Sequence, residues 1–103
     1  MIADTNKLPN IKTGIELIAA ERERQITKEG WTPEHDDEHD ESELIYAAIA
    51  YAYENPDTWP WTDESWKPSK HRVRNLVKAG ALIAAEIDRI SRMNAELTRP
   101  EAQ

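Results

Sequence analysis

The sequence predicts an all-α fold, with one domain of three helices and a loop rich in tryptophan and proline between the second and third. Three observations predict it. The chain has 103 residues, which suits a single hydrophobic core. Apolar residues recur at helical spacing in three segments, and no segment reads as a convincing strand. We expect residues 1–12 to be disordered or extended, residues 13–92 to form the domain, and residues 93–103 to be a frayed tail.

The first helix is predicted over residues 13–29. Thr13 and Glu16 have the spacing of a capping box, and Gly30 is a suitable stop. Between them, one arginine falls on a stripe of isoleucines at helical spacing: Ile15, Ile18, Arg22 and Ile26. An arginine on an apolar stripe must reach water or meet a carboxylate. We therefore expect Arg22 to pair with the acidic segment that follows.

The second helix is predicted over residues 41–54. It begins at the capping-box spacing of Asp40 and Glu43 and ends before Pro56. The segment is apolar on nearly every face, so we expect it to be central. The following loop, residues 55–70, holds three tryptophans and three prolines. Such a loop is too aromatic for a linker, and we expect it to fold back over the core.

The third helix is predicted over residues 70–92, with Ser69 as its cap. One apolar stripe follows it: Val73, Leu76, Gly80, Ile83, Ile87 and Ile90. Glycine inside a helix costs about 1 kcal/mol relative to alanine, so Gly80 predicts a close helix contact. The second helix is so apolar that the other two leave part of it uncovered, and we expect a homodimer that buries one face.

The composition excludes several classes of protein. The chain has no cysteine, which excludes disulfide scaffolds, thiolate metal sites and cysteine nucleophiles. No apolar run approaches the roughly 20 residues of a membrane span, and the first residues have no signal-peptide core. A formal charge of −7 argues against binding nucleic acid through its phosphates. We expect a cytoplasmic protein that contacts neither membrane nor nucleic acid.

The charge is concentrated in one acidic segment. No lysine or arginine occurs between Lys28 and Lys67, and 12 carboxylates do. The densest part, Glu34–Glu43, has seven carboxylates and two histidines. Mixed imidazole and carboxylate ligands suit Zn or Mn, and carboxylates alone suit Mg. The candidate metal ligands are His35, Asp36, Asp37 and His39. The alternative is that the carboxylates stabilise the start of the second helix while the histidines are solvated.

A second set of residues predicts a site for a polar or phosphorylated small ligand, for which a nucleotide is one candidate. Guanidinium groups bind phosphate in a bidentate manner, and indole rings stack on bases. The candidate residues are Arg22, Arg24, Trp31, Trp61 and Arg72. Two alternatives stay open. The arginines can form a structural network with carboxylates, and the tryptophans can fill the core of a chain that has no phenylalanine.

Several motifs together resemble a family of small proteins encoded by phages and prophages. They lie in Glu21–Gln25, Glu29–His39, Trp59–Trp61, Trp66–Pro68 and Leu76–Arg89. The resemblance covers residues 15–92 and implies a phage or prophage origin, hence a bacterial host cell, but no established activity. A fainter likeness is to the all-α nucleotide pyrophosphohydrolases of the MazG type, which hold Mg²⁺ with ExxE and ExxD motifs. This chain has Glu41-x-Glu43 and Glu86-x-Asp88 instead, so the spacing departs from that pattern.

Two functional hypotheses follow. In the first, the protein binds a small ligand in a polar pocket, with a divalent metal at the histidine and aspartate residues. Its enzymatic version is a metal-dependent nucleotide pyrophosphohydrolase. In the second, the protein is a non-catalytic phage accessory or anti-defence protein whose acidic face binds a basic host protein. Charge complementarity would speed that encounter.

Overall fold

The apolar run after the acidic segment forms the central helix, as predicted. The structure, a computed structural model that describes residues 11–98, contains no strand within them. Its α-helices are α1 (Gly14–Glu29), α2 (Pro33–Asp37), α3 (Glu43–Tyr53) and α4 (Arg72–Leu97). Two 3-10 turns, Pro56–Thr58 and Asp63–Ser65, lie in the tryptophan-rich segment. The all-α fold is thus confirmed; the predictions for residues 1–10 and 99–103 lie outside the described residues.

The core is the contact between α3 and α4. The buried apolar residues of the described chain all lie on these two helices: Leu44, Ala47, Ala48, Ala50 and Tyr51 on α3, and Val77, Ala79, Ala81, Leu82 and Ala85 on α4. Six of these ten are alanines, so the helices approach closely but bury few large side chains. All four tryptophans are partly buried against this core, which confirms that residues 55–70 fold back over it. The apolar core of one chain is therefore small for its length.

Helix α1 crosses α4 at Gly80. A Cβ atom at that position would lie 2.5 Å from Cδ1 of Ile18, so glycine permits the close contact that the sequence predicts. Farther along α1, Glu21 forms an ion pair with Arg74, which precedes Gly80 in α4. The two helices therefore run antiparallel.

The isoleucine stripes predicted to face the core are mostly exposed. On α1 the fully buried residues are Glu21 and Gln25, whereas Ile15 is 82 % exposed. On α4 the predicted stripe, apart from Gly80, is also exposed, and Met93 and Leu97 extend it. The reason is that α3 and residues 55–70, here called the tryptophan segment, cover the opposite side of α4. The buried residues of α4 on that side are mostly small, such as Ala79 and Ala81, or polar and paired, such as Asn75. Most of the exposed large apolar residues of the described chain therefore lie on α1 and α4, and α3 exposes Tyr46 and Tyr53.

The helix ends differ from the prediction in three places. Ser42, with a left-handed φ of 72°, caps α3, so the predicted capping box of Asp40 and Glu43 is wrong. Helix α4 begins at Arg72 and not at residue 70, because the Ser69 N–H donates to Oδ1 of Asn75 and holds Ser69 outside the helix. It continues to Leu97, beyond the predicted end at residue 92, because residues 93–97 are good helix formers.

The acidic segment begins with a short helix of its own, α2, which was not predicted from the sequence. Thr32 accepts a hydrogen bond from the His35 N–H and caps α2, and Pro33 occupies its first turn. The capping box of α1, in contrast, is present as predicted, and Gly30 ends that helix in the left-handed conformation. Within residues 11–98, no helix is long and apolar enough to cross a membrane.

Candidate ligand-binding site

A cavity of about 520 Å³ opens between α1, α2, α4 and the tryptophan segment. This volume lies in the range of sites that hold small molecules. One side of the cavity is aromatic, and the other carries charged side chains from α1 and α4. Its lining comprises Glu21, Arg24, Gln25, Glu29, Trp31, His35, His39, Tyr51, Trp59, Trp61, Ser65, Lys67, Arg74 and Lys78.

The aromatic wall is a continuous series of ring contacts. Trp31 stacks on His35 with ring planes 2° apart, and Trp61 lies 6.1 Å from Trp31 and 5.1 Å from His39 between ring centroids. Trp59 then joins Trp61 to Tyr51, at 5.0 and 5.5 Å. The Trp59 indole N–H donates to the Thr62 carbonyl and to the Ser65 hydroxyl, which fixes the loop. The wall is therefore rigid and presents several ring surfaces to the cavity.

Glu21 organises the charged wall. Its carboxylate is buried and accepts hydrogen bonds from Arg24, Arg74 and the Gln25 side chain. Burial by itself would raise the pKa of this carboxyl, but the hydrogen bonds and charges of the two arginines outweigh burial and lower it. The hydrogen bond to Glu21 likewise raises the pKa of Arg24. Glu21 therefore stays ionised and holds both guanidinium groups at the cavity.

Lys78 brings a positive charge that no carboxylate of the described chain pairs within 4 Å. Its ammonium group donates to the Lys67 carbonyl at 3.1 Å and lies 5.3 Å from the Tyr51 ring centroid. Burial, together with the nearby charge of Arg74, lowers the pKa of Lys78. Lys67 lines the cavity beside it. Four basic and two acidic side chains thus line the cavity, which is locally positive in a chain of net charge −7.

Gln25 leaves one polar atom of the cavity wall without a partner. Its side-chain amine donates to Glu21 Oε2 at 3.2 Å, which fixes the orientation of the amide. Its Oε1 is buried and accepts no hydrogen bond from the residues that the structure describes. A buried acceptor without a partner costs about 1–3 kcal/mol. Because this oxygen is buried, that cost is borne within the fold.

Three of the five predicted ligand-binding residues lie at this cavity: Arg24, Trp31 and Trp61. Arg22 and Arg72 lie outside its lining. Arg22 donates to the Trp31 carbonyl and to Asp36, at 2.6 Å from Oδ2, which confirms the predicted pairing with the acidic segment. Arg72 binds the carbonyl of Ala52 and the Glu54 carboxylate at the end of α3. Both have structural partners.

The four predicted metal ligands separate into two groups. His35 and His39 face each other at the cavity, with their Nε2 atoms 3.4 Å apart. Asp36 is buried between Arg22 and the Nδ1 atom of His35. Asp37 turns outward to Arg92 at 2.7 Å. Among residues 11–98, no three or more His, Asp or Glu side chains are grouped so that they could together hold a metal ion.

Several cavity residues were absent from the predicted set: Glu21, Gln25, Trp59, Arg74 and Lys78. Each had a signal in the sequence: Glu21, Gln25 and Trp59 lie in the motifs Glu21–Gln25 and Trp59–Trp61, and Arg74 and Lys78 lie in the basic first turns of α4. No local pattern indicates that these residues meet at one cavity. Comparison of the chain with family models, curated proteins and solved structures gives no match in any of the three. The resemblance to phage proteins and the likeness to pyrophosphohydrolases therefore stay predictions.

Proposed function

We propose that this protein binds a small anionic molecule with an aromatic ring, and that the ligand is a nucleoside phosphate. One observation carries the proposal. A single cavity joins an aromatic wall to a positively charged wall in an otherwise acidic chain. Indole rings stack on bases without regard to sequence, and guanidinium and ammonium groups bind phosphate.

The two walls suggest how such a ligand would lie. The base would stack on the rings of Trp31 and Trp61, and the phosphates would reach Lys78 and Arg74. Because Arg24 and Arg74 are already held by Glu21, little side-chain entropy would be lost on binding.

The test is a titration of the purified protein with ATP, adenosine and inorganic triphosphate, followed by calorimetry and thermal unfolding. We expect ATP to bind more tightly than adenosine or triphosphate, because only ATP engages both walls. At 100 times its Kd, a ligand adds about 2.7 kcal/mol to the free energy of unfolding, which corresponds to a rise in Tm of about 10 °C or more. The other common nucleoside mono-, di- and triphosphates complete the panel, since the base is not specified by the walls.

Two lysine variants provide the control. Lys78→Met keeps the apolar stem over Tyr51 and removes the charge, and should weaken binding at least about tenfold, or 1.4 kcal/mol. Lys70→Met removes an exposed charge outside the cavity and should leave the affinity unchanged. If no nucleoside phosphate in the panel shifts the Tm of the wild type, the proposal is wrong.

We further propose that the protein acts as a homodimer whose interface is the exposed apolar face of α1 and α4. The α4 residues repeat at intervals of three and four over Val73–Leu97, as in a coiled-coil seam. Ile15 on α1 is 82 % exposed as well, so the apolar face extends over both helices. A second copy is the expected cover because the core of one chain is small and requires a permanent partner.

The dimer is tested by sedimentation at several concentrations. We expect twice the chain mass of 11.8 kDa for the wild type and a monomer for Ile87→Asp, which places a charge within the exposed face. Tyr53→Asp alters a residue of α3 that is 78 % exposed and is not among the residues of that face, and should remain dimeric. A wild-type monomer at 100 μM would contradict the interface and point to cover from the chain's own ends or from another protein.

The acidic-face hypothesis is less well supported. Of the 12 carboxylates that it draws on, four form ion pairs with arginines of the chain: Glu29, Asp36, Asp37 and Glu54. A basic host protein would meet fewer free charges than the sequence suggests. Phage accessory or anti-defence action through a host protein is therefore the second candidate function.

A further inference from the structure

We propose that His35 and His39 bind one divalent transition metal ion, of the zinc class, at the wall of the cavity. The two histidines are four residues apart, and their Nε2 atoms lie 3.4 Å from each other. Two nitrogen ligands of a tetrahedral zinc ion, each about 2.05 Å from the metal, are also about 3.4 Å apart. The pair therefore already has the spacing of two metal ligands.

The spacing is long for a hydrogen bond between the two rings. N–H···O hydrogen bonds are about 2.7–3.2 Å long, whereas the two nitrogens are 3.4 Å apart. The ring planes meet at 70°, with centroids 4.7 Å apart. A single metal ion bound by both Nε2 atoms would satisfy both nitrogens at once, after a small rotation of the rings.

A carboxylate lies near the other nitrogen of each ring, and at His35 it lies within hydrogen-bond distance. Nδ1 of His35 lies 3.2 Å from Oδ1 of Asp36, and Nδ1 of His39 lies 3.7 Å from Oε2 of Glu43. Metal-bound histidines commonly donate their second N–H to a carboxylate, which fixes the tautomer and leaves Nε2 free for the metal. Asp36 is itself fixed by Arg22 at 2.6 Å. In this arrangement Asp36 orients the His35 ring and does not itself bind the metal.

The protein supplies two ligands, so the remaining positions belong to water or to the occupant of the cavity. Both histidines line the cavity, and those positions face its interior. A divalent ion there would add positive charge beside Trp31 and Trp61. A polar atom of a bound nucleotide that lies beside these rings would then complete the coordination. This last step rests on the proposed function, whereas metal binding by the two histidines does not.

The test begins with metal-free protein and Zn²⁺ alone, without nucleotide, by calorimetry, and with Co²⁺ by visible absorption. We expect one ion per chain and absorption bands of a nitrogen-coordinated Co²⁺. His35→Ala and His39→Ala should each weaken Zn²⁺ binding at least about tenfold. His71→Ala removes the third histidine of the chain, which lies outside the cavity, and should bind like the wild type. Far-UV circular dichroism establishes that each variant is folded.

The outcomes separate the two proposals. If the wild type binds no Zn²⁺, or if His35→Ala and His39→Ala bind it as tightly as the wild type does, the metal site is wrong. If a variant fails to fold, NMR spectra of the wild type titrated with Zn²⁺ replace the variants. The ring protons of His35 and His39 should then shift, and unchanged signals would contradict the metal site. Zn²⁺ binding without any nucleotide binding would support the metal site and contradict the proposed ligand. Nucleotide binding that EDTA leaves unchanged would overturn the bridging step alone.

Discussion

The Arg22 guanidinium lies 2.6 Å from the Asp36 carboxylate, and this ion pair joins α1 to α2 next to His35, which lines the cavity. The Asp36 side chain is 1 % exposed and that of Arg22 is 12 % exposed. The pair is thus largely removed from water, and each charge depends on the other. Asp36 also contacts His35, so the same ion pair positions a residue of the cavity.

Loss of this pair should be costly. Arg22→Met leaves the Asp36 carboxylate buried without its main partner, and we expect a loss on the order of 3 kcal/mol in the free energy of unfolding, measured with urea. Arg92→Met removes the exposed pair with Asp37 and should cost less than about 1 kcal/mol. Equal losses in the two variants would mean that the Arg22 pair is as solvated as the surface one.

The Glu21 carboxylate predicts a specific dependence of stability on pH. Its pKa is lowered in the folded state from an ordinary value of 4.5. A group of this kind stabilises the fold fully above its unfolded pKa, and the contribution is lost as pH falls through the folded pKa. Glu21→Gln should therefore be destabilised most at pH 7, and its difference from the wild type should shrink below about pH 4.5 in urea unfolding. A difference that is constant from pH 7 to pH 3 would contradict this account.

Lys78 predicts how binding of a nucleotide varies at alkaline pH. Burial lowers its pKa in the free protein below the ordinary 10.5, whereas a bound phosphate would raise it. Affinity should be full while Lys78 is protonated and should fall as pH rises through the lowered pKa. Calorimetry with ATP from pH 7 upward should show this fall starting below pH 10.5, and Lys78→Met should not show it. If the affinity of the wild type for ATP equals that of Lys78→Met at every pH, Lys78 takes no part in binding.

Asn75 is a buried polar residue whose loss should disturb the start of α4. Its side chain donates to the Ser69 carbonyl and to Glu54, and accepts from the Ser69 N–H. Asn75→Ala leaves buried backbone groups without partners, and we expect a loss of about 3 kcal/mol in the free energy of unfolding. Asn55→Ala removes one exposed hydrogen bond to Asp57 and should cost about 1 kcal/mol or less. Similar losses in both would show that water replaces the bonds of Asn75.

The positions of the three long helices could be predicted because apolar spacing and caps act locally. The buried faces could not. Periodicity indicates which residues lie on the same face of a helix, but it does not show whether that face is buried. The face of α1 that carries Ile15 and the face of α4 that carries Ile87 both have exposed isoleucines. Buried polar residues such as Glu21 and Asn75 are stable only because partners distant in sequence reach them. Such pairings have no local pattern.

The candidate site was predicted in part for a geometric reason. Neighbouring arginines were treated together, yet residues two apart on a helix point about 200° away from each other. Arg24 therefore faces the cavity while Arg22 does not, and Arg74 faces it while Arg72 does not. Trp31 and Trp61 line the cavity, since large rings in a small chain have few other places to pack, and their role in ligand binding stays a prediction. The role of Gln25 depends on a single buried oxygen that only the structure shows.

The shortness of α2 has a consequence for how the chain folds. A helix of five residues does not persist by itself in water. Two ion pairs hold it in place, and they reach Arg22, 14 positions earlier in the chain, and Arg92, 55 positions later. The last of these contacts forms only after α4 has been synthesised and has docked. We therefore expect the backbone amides of α2 to exchange with solvent faster than those of α3, and nascent chains that lack α4 to hold no histidine pair in place.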